Sequence, residues 1–328
     1  MGSIVFLEVE QADREQIQEQ YPESLVLEEK LQDNGVAEQC ADAEILSCFI
    51  YSSFGKKELD ALPNLKLLCT RSVGFDHIDI DECERRGITV CNVPDYGSHV
   101  IAEHVFALLL SALRHISEAD KRVEEGAFEY HGLRGMALRG KVLGIVGTGK
   151  IGRRVAQIAH GFGMNIIACD KCRVMELTDL LGVRYVSMDE LLSSSDIITL
   201  HIPATDETTH IINAKAFGAM KDGIVLVNTA RGTLIDSSAL LDSLKCGKVS
   251  HALLDVLEHE QNFEENKALI THPNVIATPH IAFYADDSMR NMYTDCFESI
   301  DQYKRGEEPA HKIAPPNIIC DLPALKRS

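Results

Sequence analysis

The sequence predicts an α/β fold built from doubly wound parallel sheets, and three observations carry that expectation. Short apolar runs alternate with helical stretches along most of the 328 residues, which implies parallel strands covered by helices on both faces. The stretch Val93-Pro94-Asp95-Tyr96-Gly97 then breaks the alternation, which restarts after a long helix. Finally, Gly147-Thr148-Gly149-Lys150-Ile151-Gly152 places a G-x-G-x-x-G run between an expected strand and an expected helix. A chain of this length suggests about two domains.

In the first series, strands are expected at 4–9, 25–27, 45–50, 66–70 and 88–91, with helices at 13–20, 56–62 and 80–86 between them. A single helix is expected over 98–123, followed by a poorly periodic loop over 124–138. The second series offers six strands, at 142–146, 165–170, 197–201, 224–228, 251–256 and 275–278, as a dinucleotide-binding sheet needs. A last helix is expected over 286–305, and the tail with Pro309, Pro315 and Pro316 shows no pattern.

The formal charge of −18 repels phosphate backbones and argues against nucleic acid as a partner. Of the ten cysteines, Cys48, Cys69, Cys91 and Cys169 fall in or beside expected strands, where a thiol packs as a small apolar group. Reduced thiols and a cytoplasmic location are therefore expected. Cys169-Asp170-Lys171-Cys172 matches C-x-x-C, but no second ligand pair stands at zinc spacing, so no metal is expected. The N-terminal apolar run is short and ends in acids, which reads as a strand rather than a signal peptide. No run of 18 apolar residues is present, so no membrane partner is expected.

The glycine run sits in the setting its mechanism requires. Gly147 permits a tight turn, Gly149 lets the backbone approach a pyrophosphate, and Gly152 allows helix and strand to pack closely. The first N–H groups of the helix, from Lys150 and Ile151 onward, then meet the anion. Asp170 ends the next strand, 18 residues past Gly152. A carboxylate there accepts from ribose hydroxyls and repels a 2′-phosphate, favouring NAD, while Lys171 and Arg173 soften that repulsion.

Arg231 follows the strand at 224–228, at the carboxyl end where open α/β sheets bind ligands, and its planar fork matches a carboxylate. His280 follows the strand at 275–278, and an imidazole there gives a proton to a developing alkoxide. His201 shares that position and competes for the role. A neighbouring carboxylate would keep the imidazolium charged and oriented, and spacing alone leaves Asp255, Glu258 and Glu260 open. An arginine, an acid and a histidine beside a dinucleotide are what hydride and proton transfer at a 2-oxo acid require.

These residues resemble the D-isomer-specific 2-hydroxyacid dehydrogenase family over nearly the whole chain, most of all its D-lactate dehydrogenase branch. The resemblance runs through Arg71-Ser72-Val73-Gly74-Phe75-Asp76-His77-Ile78-Asp79, Asn92-Val93-Pro94, the glycine run with Asp170, and His201-Ile202-Pro203-Ala204-Thr205. It continues through Asn228-Thr229-Ala230-Arg231-Gly232 and Leu254-Asp255-Val256 and closes with Thr278-Pro279-His280-Ile281-Ala282. It implies a catalytic triad of Arg231, Glu260 and His280, and backbone N–H groups of Val73 and Gly74 on the substrate carboxylate. Tyr96 and Tyr284 would join Arg231 at the substrate. The cofactor NAD would be held by Gly147, Gly149, Lys150, Ile151, Gly152, Asp170, His201, Ile202, Pro203, Thr229, Ala230 and Asp255, the last near the nicotinamide.

The resemblance further implies two Rossmann- or flavodoxin-like domains with an active-site cleft between them. Residues 1–97 plus 284–328 would form a discontinuous substrate domain, and 98–283 the NAD-binding Rossmann domain. A homodimer through the nucleotide-binding domains is expected, with the 98–123 helix at the interface. The implied substrate is a small 2-oxo or 2-hydroxy acid, first pyruvate and D-lactate. A glyoxylate or hydroxypyruvate reductase and a non-catalytic NAD-sensing, corepressor-like protein are the alternatives.

Overall fold

The computed structural model describes residues 3–313. Contacts divide these into two units, residues up to Gly97 together with those from Ala285 onward, and Ser98–Tyr284. The sequence sets the second boundary one residue earlier, before Tyr284. Residues 314–328, assigned there to the first domain, lie outside the described residues.

The first unit runs β1 (Ser3–Phe6), α1 (Arg14–Gln20), β2 (Leu25–Val26), α2 (Val36–Gln39), β3 (Ala43–Cys48), α3 (Lys56–Asp60), β4 (Leu67–Thr70), α4 (Ile80–Arg85) and β5 (Thr89–Cys91). Its five strands pair in parallel in the order β2-β1-β3-β4-β5. Leu46, Leu67 and Leu68 are fully buried, as expected of strands covered on both faces. Each such side chain contributes about 1.5–3 kcal/mol. The closing helix, Asp286–Lys304, returns to this sheet and sets Phe297 edge-on against Phe6 and Tyr21, with ring centroids 6.0 and 5.3 Å apart. Beyond it, Lys312 bridges antiparallel to Cys91 and the Ile313 N–H donates to the Val90 carbonyl at 2.8 Å, covering the β5 edge.

The second unit runs α5 (Ser98–Leu113), α6 (Ile116–Glu124), β6 (Val142–Val146), α7 (Lys150–Gly161), β7 (Asn165–Cys169), α8 (Met175–Leu181), β8 (Arg184–Tyr185), α9 (Met188–Ser194) and β9 (Ile197–Leu200). It continues through α10 (Ala214–Ala219), β10 (Ile224–Asn228), α11 (Ser237–Lys245), β11 (Val249–Leu254), α12 (Phe263–Ile270) and β12 (Val275–Ala277); the closing helix is α13. The parallel sheet has the order β12-β11-β10-β9-β6-β7-β8. Alternate residues of one strand feed opposite cores. Val225 and Val227 pack with α5 and α7 residues such as Phe106 and Val155, while Ile224 and Leu226 pack with Phe217 and Leu240.

Two expectations are corrected here. The 98–123 helix is two helices bent by 57°. His115 takes a left-handed φ of 53°, which ends α5 and starts α6 without a glycine or proline to mark the break in sequence. The sheet has seven strands rather than six, because the two-residue β8 is too short to register as an apolar run. Cys48, Cys69, Cys91 and Cys169 are buried free thiols. Among the described residues no single helix is long and apolar enough to cross a membrane.

Candidate active site

Strand order reverses between β6 and β9, and the glycine turn forms there. β6 runs straight into Gly147, whose φ of 95° belongs to the left-handed region that glycine tolerates. A Cβ at Gly147 would stand 2.4 Å from the His201 carbonyl oxygen, so the loops after β6 and β9 touch across the reversal. One at Gly152 would stand 2.0 Å from the Gly147 carbonyl oxygen, so α7 rests on the turn. Gly149, the N-cap of α7, is different: nothing lies within 4 Å of where its Cβ would be. The N-terminus of α7, starting with Lys150 and half-buried Ile151, thus opens on free space suited to an anion.

Asp170 follows β7 and is half-buried. Its Oδ2 accepts from the Thr148 N–H at 2.5 Å and the Thr148 hydroxyl at 3.0 Å, and its Oδ1 accepts from the Cys172 N–H at 2.8 Å. Tyr185, on β8, donates to the Thr148 hydroxyl at 3.0 Å. The carboxylate read from sequence as a ribose acceptor therefore also fastens the glycine turn, through a Tyr185–Thr148–Asp170 chain that sequence reasoning missed.

His201 follows β9. Its Nε2 shares a hydrogen bond with the Thr199 hydroxyl at 2.9 Å, and its Nδ1 is buried without a partner. Burial pushes its pKa down to about 3, so the ring is neutral near neutral pH and is a poor source of a proton. Next to it, Ile202 is half-buried and Pro203 exposed, the Pro203 carbonyl accepting from the Thr208 hydroxyl at 2.7 Å.

At the end of β10, fully buried Asn228 accepts from the Ala230 N–H at 3.0 Å and donates to the Arg231 carbonyl at 2.8 Å. One amide side chain thereby closes the turn that presents half-buried Arg231, whose Nη1 donates to the Ala230 carbonyl at 2.7 Å. The Thr229 hydroxyl within the turn is buried and unpartnered. A Cβ at Gly232 would stand 2.0 Å from the Leu257 carbonyl oxygen, which explains glycine there: the arginine turn is pressed against the backbone leading to Glu258 and Glu260.

The three carboxylates that spacing leaves open have three different partners. Asp255 has its side chain closed to solvent; Oδ1 accepts from the Thr278 hydroxyl at 2.5 Å and the Ile281 N–H at 2.9 Å, and Oδ2 from the Ala282 N–H at 2.9 Å. His104 of α5 lies 3.6 Å from the same carboxylate and 3.2 Å from the Thr278 hydroxyl. Asp255 thus anchors the loop on which His280 sits at a left-handed φ of 56°. Glu258 faces His210 in a short contact and accepts from the Ser237 N–H at 3.3 Å. Burial pushes its carboxyl up, but the His210 and Ser237 hydrogen bonds outweigh that and leave it below the ordinary range. Only Glu260 meets the imidazole, with Oε2 at 3.1 Å from His280 Nδ1. The Nε2 of His280 has no protein partner among the described residues. In the sequence His104 is a polar residue in a largely apolar helix, with no motif to single it out.

In the first unit, Val73 and Gly74 follow β4. Their carbonyls accept from Asn92 Nδ2 at 2.8 Å and the Ser72 hydroxyl at 2.6 Å. Among the described residues neither N–H donates a hydrogen bond. Tyr96 is buried, its carbonyl facing Asn291 Nδ2 at 3.5 Å. Tyr284, in the second unit, is half exposed and packs edge-on against Phe283, which does the same to His280.

The second unit fits a dinucleotide on its own geometry. The helix N-terminus is open at Gly149, and two residues expected at the cofactor, His201 and Thr229, carry buried polar atoms that the protein leaves unpartnered. These features are those of a nucleotide-binding unit that also carries a histidine–carboxylate contact.

Residues 106–282 match the model of the D-isomer specific 2-hydroxyacid dehydrogenase, NAD binding domain. The hydroxypyruvate reductase of Thermotoga maritima is 41% identical over 74% of this chain and 78% of its own. The glyoxylate reductase of Thermococcus litoralis is 37% identical over 86% and 85%. Among solved structures, the D-lactate dehydrogenase from Aquifex aeolicus complexed with NAD and lactic acid superposes with a TM-score of 0.89, at 34% identity, over 96% of this chain and 100% of that one. The chain belongs to the D-isomer-specific 2-hydroxyacid dehydrogenase family and is an NAD-dependent oxidoreductase.

Proposed function

We propose that this protein reduces a small 2-oxo acid to the D-2-hydroxy acid with NADH, pyruvate to D-lactate first among them. The observation that carries the reading is the His280–Glu260 contact at 3.1 Å, on a loop anchored by Asp255, in the same unit as Arg231. Bound NADH supplies the hydride, and the chain's own residues do the rest. The Val73 and Gly74 N–H groups bind the substrate carboxylate. Arg231 grips the substrate and polarises its C2 carbonyl. His280 Nε2 donates a proton to the carbonyl oxygen while Glu260, at Nδ1, holds the imidazolium in place. Preorganised positive charge where the alkoxide grows is the main source of rate. In the reverse direction His280 takes the proton back.

The aromatic step from His280 to Phe283 to Tyr284 favours an apolar substrate side chain such as the methyl of pyruvate. Glyoxylate and hydroxypyruvate form the second reading, favoured by the relatives that carry those names. A panel of pyruvate, glyoxylate, hydroxypyruvate, 2-oxobutyrate and phenylpyruvate with NADH and NADPH decides between them. The highest kcat/KM is expected with pyruvate and NADH; inertness toward the whole panel would sink the reading. An NAD-sensing, corepressor-like role would instead leave a partner interaction intact in His280→Ala, with no turnover to lose.

We further place the protein in the cytoplasm, a reducing compartment, on the strength of the buried free thiols of Cys48, Cys69, Cys91 and Cys169, although Cys172, expected reduced, is disulfide-bonded. We read it as a homodimer. Ile116, Val123, Phe128 and Tyr130, on α6 and the segment after it, are 50–95% exposed and suit a second copy. A monomer mass by light scattering at micromolar concentration would refute the dimer.

A further inference from the structure

The five-stranded sheet has its own order reversal, between β1 and β3, and there too open α/β sheets bind ligands. Glu8, just past β1, takes a left-handed φ of 57°, unusual for a residue with a side chain. Its carboxylate accepts from the N–H groups of Phe49, Tyr51 and Ser52 at 3.2, 2.9 and 2.8 Å, and makes a short contact with the Ser52 hydroxyl. The backbone donors after β3, which would otherwise cradle an anion, are thus taken by the protein's own carboxylate.

Arg71 holds Glu8 in that posture. It is wholly buried, donating from Nη2 to the Leu7 and Glu8 carbonyls at 2.7 and 2.9 Å and from Nη1 to the Ser47 hydroxyl at 2.9 Å, with Tyr293 5.2 Å away. Among the described residues it makes no ion pair. Burying a cation with no carboxylate in contact is costly, and its field reaches the Asp13 carboxyl as well as the turn that follows it. Arg71 is also two residues before Val73. Thr70, just before it, donates to the Phe49 carbonyl at 3.2 Å and meets the Ser72 hydroxyl at 2.6 Å, which joins the two loops. With the Val73 and Gly74 carbonyls occupied and the Phe49, Tyr51 and Ser52 donors filled by Glu8, the two N–H groups after β4 are left to take an anion.

We propose that Glu8 and Arg71 are positioning residues for the substrate carboxylate. Glu8 fills the crevice at the order reversal, so that the carboxylate binds one strand over at Val73 and Gly74. Arg71 fixes that turn and lends it a buried positive charge that no carboxylate contacts among the described residues. This rests on the activity proposed above. The test compares Glu8→Ala, Glu8→Gln and Arg71→Met with wild type, using the best 2-oxo acid of the panel and its methyl ester, with NADH affinity followed by fluorescence. Glu8→Ala and Arg71→Met are expected to raise KM for the acid about ten- to hundredfold. KM for the ester, which has no carboxylate, and the Kd for NADH stay within about twofold of wild type. Glu8→Gln, which keeps one acceptor oxygen, falls between; it decides the matter if the other two variants do not fold. An unchanged KM for the acid, or equal losses with acid and ester, overturns the proposal while leaving the activity standing. A wild-type chain inert toward every 2-oxo acid overturns the activity and this inference with it.

Discussion

The two sheets solve the same topological problem in opposite ways. Each reverses strand order once, leaving backbone donors at a crevice. In the seven-stranded sheet glycines shape that crevice, and at Gly149 it stays open. In the five-stranded sheet a carboxylate, Glu8, closes it. Topology therefore supplies a possible site, and the residue at the first loop decides whether a ligand or the protein itself uses it.

Four changes would break or sharpen this contrast. His280→Ala has the largest expected effect: turnover falls about 10²–10⁴-fold, measured by stopped-flow NADH oxidation. NADH is expected still to bind with little change in Kd, because His280 lies on the loop after β12 and the glycine turn on the loop after β6. An equal loss of binding would erase that separation.

Gly147→Ala should come next. Its left-handed φ and a Cβ 2.4 Å from the His201 carbonyl oxygen force the open crevice to deform. A cost of about 1–3 kcal/mol should raise the NADH Kd tenfold or more and lower Tm. An unaltered affinity would mean that the glycine shape is not what opens the site.

Asp170→Ala removes the acceptor of the Thr148 N–H and hydroxyl. Because the group is half-buried, the loss should sit near the lower end of the 1.5–3 kcal/mol range for charged acceptors, roughly a tenfold weaker NADH Kd. NADPH should improve relative to NADH, and a titration of both cofactors checks it.

The last change is read in stability against pH rather than in turnover or affinity. His201 has a folded pKa lowered to about 3 against 6.5 for the free side chain. Between those values the unfolded chain binds the extra proton, so its contribution to stability is full above about 6.5 and is lost as pH falls toward 3. His201→Asn should flatten the acid side of the stability curve by up to about 1.4 kcal/mol per pH unit. Urea melts of wild type and variant over that range read it directly; parallel curves would show that the ring is solvated.

Much of this was legible in sequence because it is local. The strands at 142–146 and 224–228 carry unbroken apolar runs between turn residues, and both stand where their pattern places them. The break at His115 was not legible, since nothing in Arg114-His115 disfavours a helix by composition. Nor was the second duty of Asp170, which depends on a tyrosine from a two-residue strand.

By itself the sequence determined the alternating parallel architecture, the glycine turn and the side chains at the carboxyl ends of strands, because each follows from periodicity or from a steric demand met within a few residues. Only the tertiary structure distributed the charges. Asp255, Glu258 and Glu260 lie within six positions of one another, yet one anchors a loop, one faces His210 and one meets His280. Glu8 carries no motif in the sequence, and its tie to Arg71 exists only once the sheet brings their strands together. A carboxylate's role is set by the donors around it, and those donors come from segments that only folding makes neighbours.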